Sequence, residues 1–378
     1  MANYNGQLNT NVIYPSLVNM IISQRVFSSN IGRSYGAIFN RSKVDGTMYG
    51  DTKLYTSTDV LKTYEWTGDA EAQNLLKLYR APQPKTQAIT VDKFRFVAVT
   101  VDQYLTKQAW MTETAFSDFT ATLLAWLEDT KFIYDTFTFN TYIGTTETAE
   151  HLQSQQLTLP TEPDGVDDYN TEAYNRLVAL SIGEFLANLL VALRDPSRNF
   201  NDYGFMRSRN PDDLIVVWNA AWINQIRHID LPTIFHNDDL IPKFDEENLP
   251  ARYFGSVNRT GGTTGAANIT VRSLIEVDYN EVEPSDPLYD PAKHIFPGEL
   301  LPPNTPYEAN ETYGEDPSVV CKIMHKNSVP YMSGFSTGTE FFNPAALNNT
   351  HRLIWGHNTL AYLQEYPFIT VKAVQAAG

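Results

Sequence analysis

The run TETAFSDFTATLLAWLEDTKFIYDTFTFNTYIG sets Phe116, Phe119, Leu123, Leu127, Tyr134 and Phe137 at intervals near three, four and seven. That spacing lines apolar side chains along one face of an α-helix. It predicts a helix over 113–143, with Gly144 as its stop. About 29 residues of helix span roughly 43 Å. A helix this long serves as a structural axis, and the rest of the chain has to be built along it. Its last turns are the weakest, because the late Thr and Phe residues are poorer helix formers.

The elements on either side follow from their own patterns. Residues 1–35 lack sustained periodicity apart from an apolar patch at LVNMIIS, which predicts an arm that needs a neighbour to be ordered. Residues 36–101 hold two runs rich in Thr, Val, Tyr and Phe, TKLYTSTDVLKTYEWT and AITVDKFRFVAVTVDQY. Between them GDAEAQNLLKLYRAPQP predicts a short helix closed by Pro82 and Pro84, giving a long β-ribbon with a small helix in its middle. Further on, TEAYNRLVALSIGEFLANLLVALRDP carries one broad apolar stripe, from Tyr174, Leu177 and Val178 to Leu193, ended by Pro196. LIVVW then predicts a strand buried on both faces and NAAWINQIR a short helix packed back on it. Residues 276–316, with eleven acids, one Lys and seven prolines, suit a solvated loop. VVCKIM, HRLIWGHNTLAYLQEY and FITVKAV predict closing strands. The expected class is α+β.

Composition narrows the function. Hydrophobic residues make up 42% of the 378, enough for a sizeable core, and the 21 Tyr, 20 Phe and 6 Trp are a heavy aromatic load that favours interfaces. The single cysteine, Cys321, excludes an internal disulfide and a cysteine-based zinc site. The polar start MANYNGQLNT predicts no secretory leader, and no apolar run reaches about 18 residues, which predicts no membrane span. Net charge is −16, against general nucleic-acid binding by the folded body. Residues 1–44 carry four bases and no acid, so the remainder carries −16 − 4 = −20: a basic arm on an acidic body.

Candidate sites give way one by one. In DDLIVVWNAAWINQIRHIDLPTIFHND, His228 and His236 with Asp238 could serve a metal-dependent hydrolase. The histidines are eight apart across a helix-to-strand junction broken by Pro232, outside the short His-to-His spacing of zinc sites. The half-buried alternation of Ile229, Leu231, Ile234 and Phe235 fits a structural segment better. RTGGTTGAAN lacks the Lys-Ser/Thr end of a phosphate loop. DYNEVEPSD has Glu283 where a calcium loop needs glycine. The expected chemistry is association, with no catalytic residue, cofactor or metal.

The order of elements, and two stretches in particular, resemble a known family. YEWTGDAEAQNLLKLYRAPQPKTQAITVDKFRFVAVTVDQ looks like an extended loop returning into a peripheral domain, and NPDDLIVVWNAAWINQIRHIDLPTIFH looks like the strand, helix and aliphatic segment of an axial domain. Both resemble the Hong Kong 97-type major capsid proteins of tailed double-stranded DNA phages, closest to small short-tailed (Picovirinae-type) and crAss-like phages. The resemblance implies an N-terminal arm at 1–35 and an extended loop at 36–90. It implies a peripheral domain at 91–170 and 330–378 with its spine helix at about 113–143, and an axial domain at 171–329. It also implies a virion protein, assembled in the host bacterial cytoplasm into an icosahedral shell of pentamers and hexamers. A scaffolding protein and a portal would be partners, and packaged double-stranded DNA would be held without sequence-specific contacts or a membrane. The family works by shape, so no reactive residue carries over. Candidate inter-subunit contacts are Arg25 and Arg33 in the basic arm and Tyr49, Tyr55, Lys62, Tyr64 and Trp66 in the ribbon. Rival readings are the hydrolase above and another virion protein, of the tail or of receptor binding.

Replacing His228 and His236 together by Asn is expected to leave shell assembly nearly intact, as judged by electron microscopy of the expressed protein. Loss of assembly together with loss of a bound metal ion would overturn the structural reading of that segment.

Overall fold

The computed structural model describes residues 37–45, 50–65, 78–102, 113–148, 150–161, 172–227, 245–259, 305–306 and 311–375. The helices are α1 (Ala37–Ser42), α2 (Glu113–Thr145), α3 (Glu172–Arg194) and α4 (Ala220–Arg227). Strands β1 (Lys43–Asp45), β2 (Thr52–Ser57) and β3 (Lys85–Asp102) precede α2, and β4 (Ser154–Leu159) follows it. Next come β5 (Leu214–Asn219), β6 (Asp245–Leu249), β7 (Gly255–Arg259), β8 (Thr305–Pro306) and β9 (Glu311–Glu315). The chain closes with β10 (Val319–His325), β11 (Tyr331–Asn343), β12 (Asn348–Asn358) and β13 (Phe368–Gln375).

Two five-stranded sheets, ordered β1-β11-β12-β3-β2 and β4-β13-β10-β5-β6, account for most strands, and β7-β9-β8 form a small third sheet. In the first sheet β3 is shared. Its first residues pair antiparallel with β2 (Ser57 opposite Lys85), and from Val91 onward it pairs with β12 (Asp102 opposite Asn348). The second sheet is the core of the body. Its central strand β5 is buried along its whole length. Leu214, Val216 and Trp218 point into a cluster with Val178, Ile182, Leu186 and Leu190 of α3. Ile215 and Val217 point the other way, against Phe139, Tyr142 and Ile143 of α2 and Ile38 and Phe39 of α1. Alternation along one strand thus seals two different layers. β4 and β13, which lie in the ranges expected for the peripheral domain, are strands of this second sheet.

Several elements differ from the sequence-based expectation. Residues 37–42, expected to begin the ribbon, form a helical turn and a half, because Ile38 and Phe39 are drawn into the core and Phe39 meets Phe139 and Tyr331 edge-on. β11 was not expected: its Gly, Ser and Thr content carries no strand alternation, and it is held by pairing with β12. Leu177 belongs to the exposed face of α3, with Leu180 and Val191, and not to its core stripe. By length and composition α3 is also apolar enough to cross a membrane, contrary to the run-length expectation; its buried face under the sheet makes it a core helix.

The long helix is found where it was expected, over Glu113–Thr145, and differs in which of its turns are most deeply packed. It runs for 33 residues, roughly 50 Å, and ends at Thr145, one residue past the expected stop at Gly144. Leu127 is buried and Tyr134 and Phe137 are half-buried, and among the described side chains of the helix the apolar ones with no exposure are Phe139 and Ile143 in the last turns. The side chains of Phe116, Phe119 and Leu123 lie outside the described ones. Tertiary packing overrides the weak propensity of these turns. Gly144 is there for space. A Cβ built on it would lie 2.0 Å from the carbonyl oxygen of Tyr253, in the 3-10 turn Ala251–Tyr253 that crosses the helix.

The end of α2 is closed by a lysine from the neighbouring sheet. Lys322 in β10 is fully buried, and its Nζ donates to the carbonyl oxygen of Thr146 at 2.5 Å, where the helix leaves unpaired acceptors. The amine also lies 5.7 Å from the Phe368 ring centroid. Beside it Lys372 bridges Glu147 (3.0 Å) and Asp316 (2.9 Å). Burial pulls the Lys322 ammonium down to about 7, partly countered by Glu147.

Two expected outcomes follow. Gly144→Ala forces the helix and the crossing turn apart and should lower stability by about 1–3 kcal/mol or more, read by thermal melting. For Lys322 the folded value lies below the unfolded value of 10.5. The unfolded chain therefore takes up a proton first as pH falls, and the contribution to stability is lost between 10.5 and about 7 and is flat below that. Lys322→Met should flatten the rise in melting temperature expected of the unaltered chain between pH 7 and pH 10; an unchanged slope would remove Lys322 from the account.

Candidate assembly surface

The β2/β3 ribbon has two unlike faces. Thr52 and Thr90 (2.8 Å) and Thr56 and Thr86 (3.0 Å) pair their hydroxyls across the strands. Leu54, on the same face as Thr52 and Thr56, is two-thirds exposed. The other face sits on the chain's own body. Tyr55 packs on a cluster of Ile89, Val91, Met332 and Leu363, and Gln87 Nε2 donates to the carbonyl of Tyr362 at 2.9 Å while its Oε1 accepts from Gln364 N at 3.0 Å. Burial raises the Tyr55 phenol, with Tyr366 adding to the effect.

Beyond the ribbon the apolar side chains are in water. Val60, Leu61, Tyr64, Leu78 and Tyr79 are all exposed, Leu78 to 79%, and Tyr64 and Tyr79 meet edge to face at 4.7 Å across the two arms. Exposed aliphatic and aromatic groups at the end of a ribbon are what a contact surface needs and what an isolated protein avoids. Of the contact candidates, the structure places Lys62 and Tyr64 together on this exposed tip and Tyr55 against its own body. Arg25, Arg33, Tyr49 and Trp66 lie outside the described residues, as do His228, His236 and Asp238. Among the described residues no group of three or more His, Cys, Asp or Glu is placed to hold a metal ion.

A second exposed surface was not expected from the sequence. The later half of β3, with β12 and the distal part of β11, forms a blade along α2. Register sets Phe96, Ile354 and Thr337 abreast, then Ala98, Arg352 and Thr339, then Thr100, Thr350 and Phe341. This is the outer face. Phe96 and Phe341 are each about two-thirds exposed, Arg352 is the one charge in these three rows, and Thr100 and Thr350 bond at 3.0 Å. The signal that could have found it is period-two alternation in KFRFVAVTV, where Phe96, Ala98 and Thr100 share a face.

The inner face is held to α2 by a polar chain with a defined direction. Arg95 Nε donates to the Tyr134 hydroxyl (3.1 Å), and that hydroxyl meets His357 Nε2 (3.2 Å). His357 Nδ1 lies 2.9 Å from the carbonyl of Asn358, which can only accept. Nδ1 therefore carries a proton, and in the neutral ring Nε2 accepts from the Tyr134 hydroxyl. Burial favours the same state by lowering the imidazole pKa. Tyr331 stacks on His357 at 5.5 Å and donates to Asp135 Oδ1 at 2.6 Å, with Lys131 on the other carboxylate oxygen at 3.2 Å. The same surround drives the Tyr331 phenol well above its ordinary range. These residues fix the blade on the helix.

The described residues thus combine a long helix bearing a blade, a ribbon extension with an exposed apolar tip, and a second, buried sheet. The family model described as Phi29-like phage major capsid protein matches residues 3–371, and the chain belongs to that family. Among solved structures, a chain of the capsid of Staphylococcus phage Andhra is similar with a TM-score of 0.60 at 11% identity, over 94% of this chain and 88% of that one. A chain of the structure described as head fiber and inner core protein gp22 of native bacteriophage P68 is similar with a TM-score of 0.54 at 11% identity, over 93% and 88%. At that identity the likeness shows the fold, which is the Hong Kong 97-type α+β fold expected from the order of elements. No curated protein matches the chain by sequence. The chain is a phage major capsid protein, a structural component of the virion head shell.

Proposed function

We propose that this capsid protein forms pentamers and hexamers that close into an icosahedral shell around double-stranded DNA. Assembly takes place in the host bacterial cytoplasm, with a scaffolding protein and a portal as partners. The observation that carries this reading is the family match over 3–371. In it, the arm is 1–35, the extended loop 36–90, the peripheral domain is built on α2 and the blade, and the axial domain on the second sheet, to which β4 and β13 add their strands.

Physical chemistry supports the assignment. Shell interfaces must be large to offset the entropy lost on association, and a loop that carries its apolar tip away from its own body reaches a neighbour with little rearrangement. The net charge of −16 keeps packed DNA from sticking to the wall. The basic residues of the arm, Arg25 and Arg33 among them, are then matched to acidic neighbours, and Lys62 at the tip sets register by charge.

Replacing residues 60–84 by a short turn, which keeps β2 and β3, should leave a folded protein that forms no closed shells, as judged by thermal melting and electron microscopy. Lys62→Glu should weaken assembly more at low salt than at high salt, where screening hides it. Shells of normal size from the shortened chain would remove the loop tip from the assembly surface.

A further inference from the structure

We propose that a polar latch within one subunit, joining Ser57, Thr58 and Asp59 to Arg198, Met206, Arg207 and Glu365, fixes the angle at which the extended loop leaves its own body. It thereby sets the curvature of the contact made with a second copy of the chain. The statement about curvature rests on the shell reading above; the latch itself does not.

The latch has two parts, both at the level where the ribbon ends. Asp59 accepts from Arg198 Nη1 at 2.6 Å through Oδ2, and from the Met206 amide (2.9 Å) and its neighbour Val60 (2.9 Å) through Oδ1. The Met206 amide first, then Arg198, holds this carboxyl down at about 2, so it is ionised at any working pH. One turn of the network away, Arg207 Nη2 donates to Ser57 Oγ and to the Thr58 carbonyl, both at 2.7 Å, while its Nε pairs with Glu365. Ser57 Oγ donates in turn to Glu365 Oε2 at 2.5 Å. Arg209 Nη2 donates to the Glu365 backbone carbonyl at 2.5 Å, and its guanidinium lies 4.9 Å from the Tyr366 ring centroid. The opposite strand is tied at the same height. Lys85, paired with Ser57, reaches the Tyr203 carbonyl (3.3 Å) and lies over the Tyr203 and Phe205 rings.

The receiving surface is stiff, as an anchor must be. Asn201 is fully buried and closes its loop by accepting from Phe205 N (2.9 Å) and donating to Phe205 O (2.8 Å). Asp202 accepts from Gln153 Nε2 (2.7 Å) and from the Tyr362 hydroxyl, and Ser197 and Arg207 exchange backbone bonds at 3.0 and 2.8 Å. Phe200 sits in the left-handed region at φ 63°, a conformation a bulky residue keeps only when its surroundings impose it. The change in environment at the latch is abrupt. Asp59 is part-buried, and each residue from Val60 to Glu65 is exposed. A root held at this many points, with an exposed tip beyond it, turns a small change at the latch into a large displacement at the contact surface.

The test uses the full chain with Asp59→Asn and Glu365→Gln, singly and together. Spin labels on cysteines introduced at the exposed positions Thr63 and Asn188 report the loop angle in unassembled protein, and the buried Cys321 does not compete for label. The unaltered chain should give one narrow distance and the double variant a broad one. Exchange of the Met206 amide should become on the order of tenfold faster in Asp59→Asn, as expected for loss of a charged acceptor. Shells of the double variant should vary in diameter under the electron microscope. An unchanged distance distribution overturns the latch, whatever the shells do. A broadened distribution with shells of uniform normal diameter overturns the link to curvature. Failure of the unaltered chain to form shells counts against the shell reading alone, since the distance measurement still judges the latch. Should the double variant fail to fold, the single variant Asp59→Asn carries the same distance and exchange readouts.

Discussion

The contact on which the rest of this structure depends is the burial of the last turns of α2 beneath the second sheet. Phe139 and Ile143 have no exposure, and Gly144 lets the Tyr253 carbonyl approach closer than any side chain would allow. Lys322 then takes the open end of the helix. The earlier turns of the same helix carry the blade, through Tyr134 and Asp135. One rigid rod therefore fixes two sheets that share no strand. A bend or slip at its end would move the blade and the ribbon relative to the core, so the polar groups buried there, costly as they are to desolvate, specify one arrangement.

The distribution of apolar surface follows from that rod. The core clusters on both faces of β5 have shed water, whereas the loop tip and the blade's outer face keep Leu61, Leu78, Phe96 and Phe341 in it. In a protein that acts alone this would be an aggregation hazard. In a shell subunit it is surface that neighbouring subunits can cover, and the core clusters do not include those side chains. The buried core and the exposed apolar surface are thus made of different residues.

What could be read from the sequence divides along the same line. Periodicity revealed α3, the double-faced strand LIVVW and most of α2, because a core imposes its spacing on each. The aromatic weight of the ribbon suggested a contact element, and the structure divides it: Tyr64 is exposed at the tip, whereas Tyr55 packs on the chain's own body. Gly144 was legible only as punctuation, since its reason is a carbonyl more than a hundred residues away. Lys322 sits in VVCKIM like any surface lysine on a strand, and its burial depends on where α2 ends. Arg198, Arg207 and Arg209 fall in an irregular segment with no period, so their convergence on Asp59 and Glu365 exists only in three dimensions. The blade's middle strand neighbour, β11, escaped because its Gly, Ser and Thr content hides a strand that pairing alone creates.

The low identity to the Andhra capsid chain, 11% at a TM-score of 0.60, has a physical basis in the same features. An enzyme must hold particular atoms at particular distances, and that demand pins residue identities. A shell subunit must hold a rod, two sheets and a projecting loop at particular angles. Many apolar sets of similar volume satisfy a packed core, so sequence can drift while geometry is kept. Residues tied to an angle have less freedom, because each is one partner in a polar arrangement that fails when half of it changes. In this chain those positions are Gly144 with Tyr253, Lys322 at the helix end, His357 with Tyr134, and the arginines around Glu365. Each of these joints links elements far apart in the sequence, so a change at one partner is felt at the other.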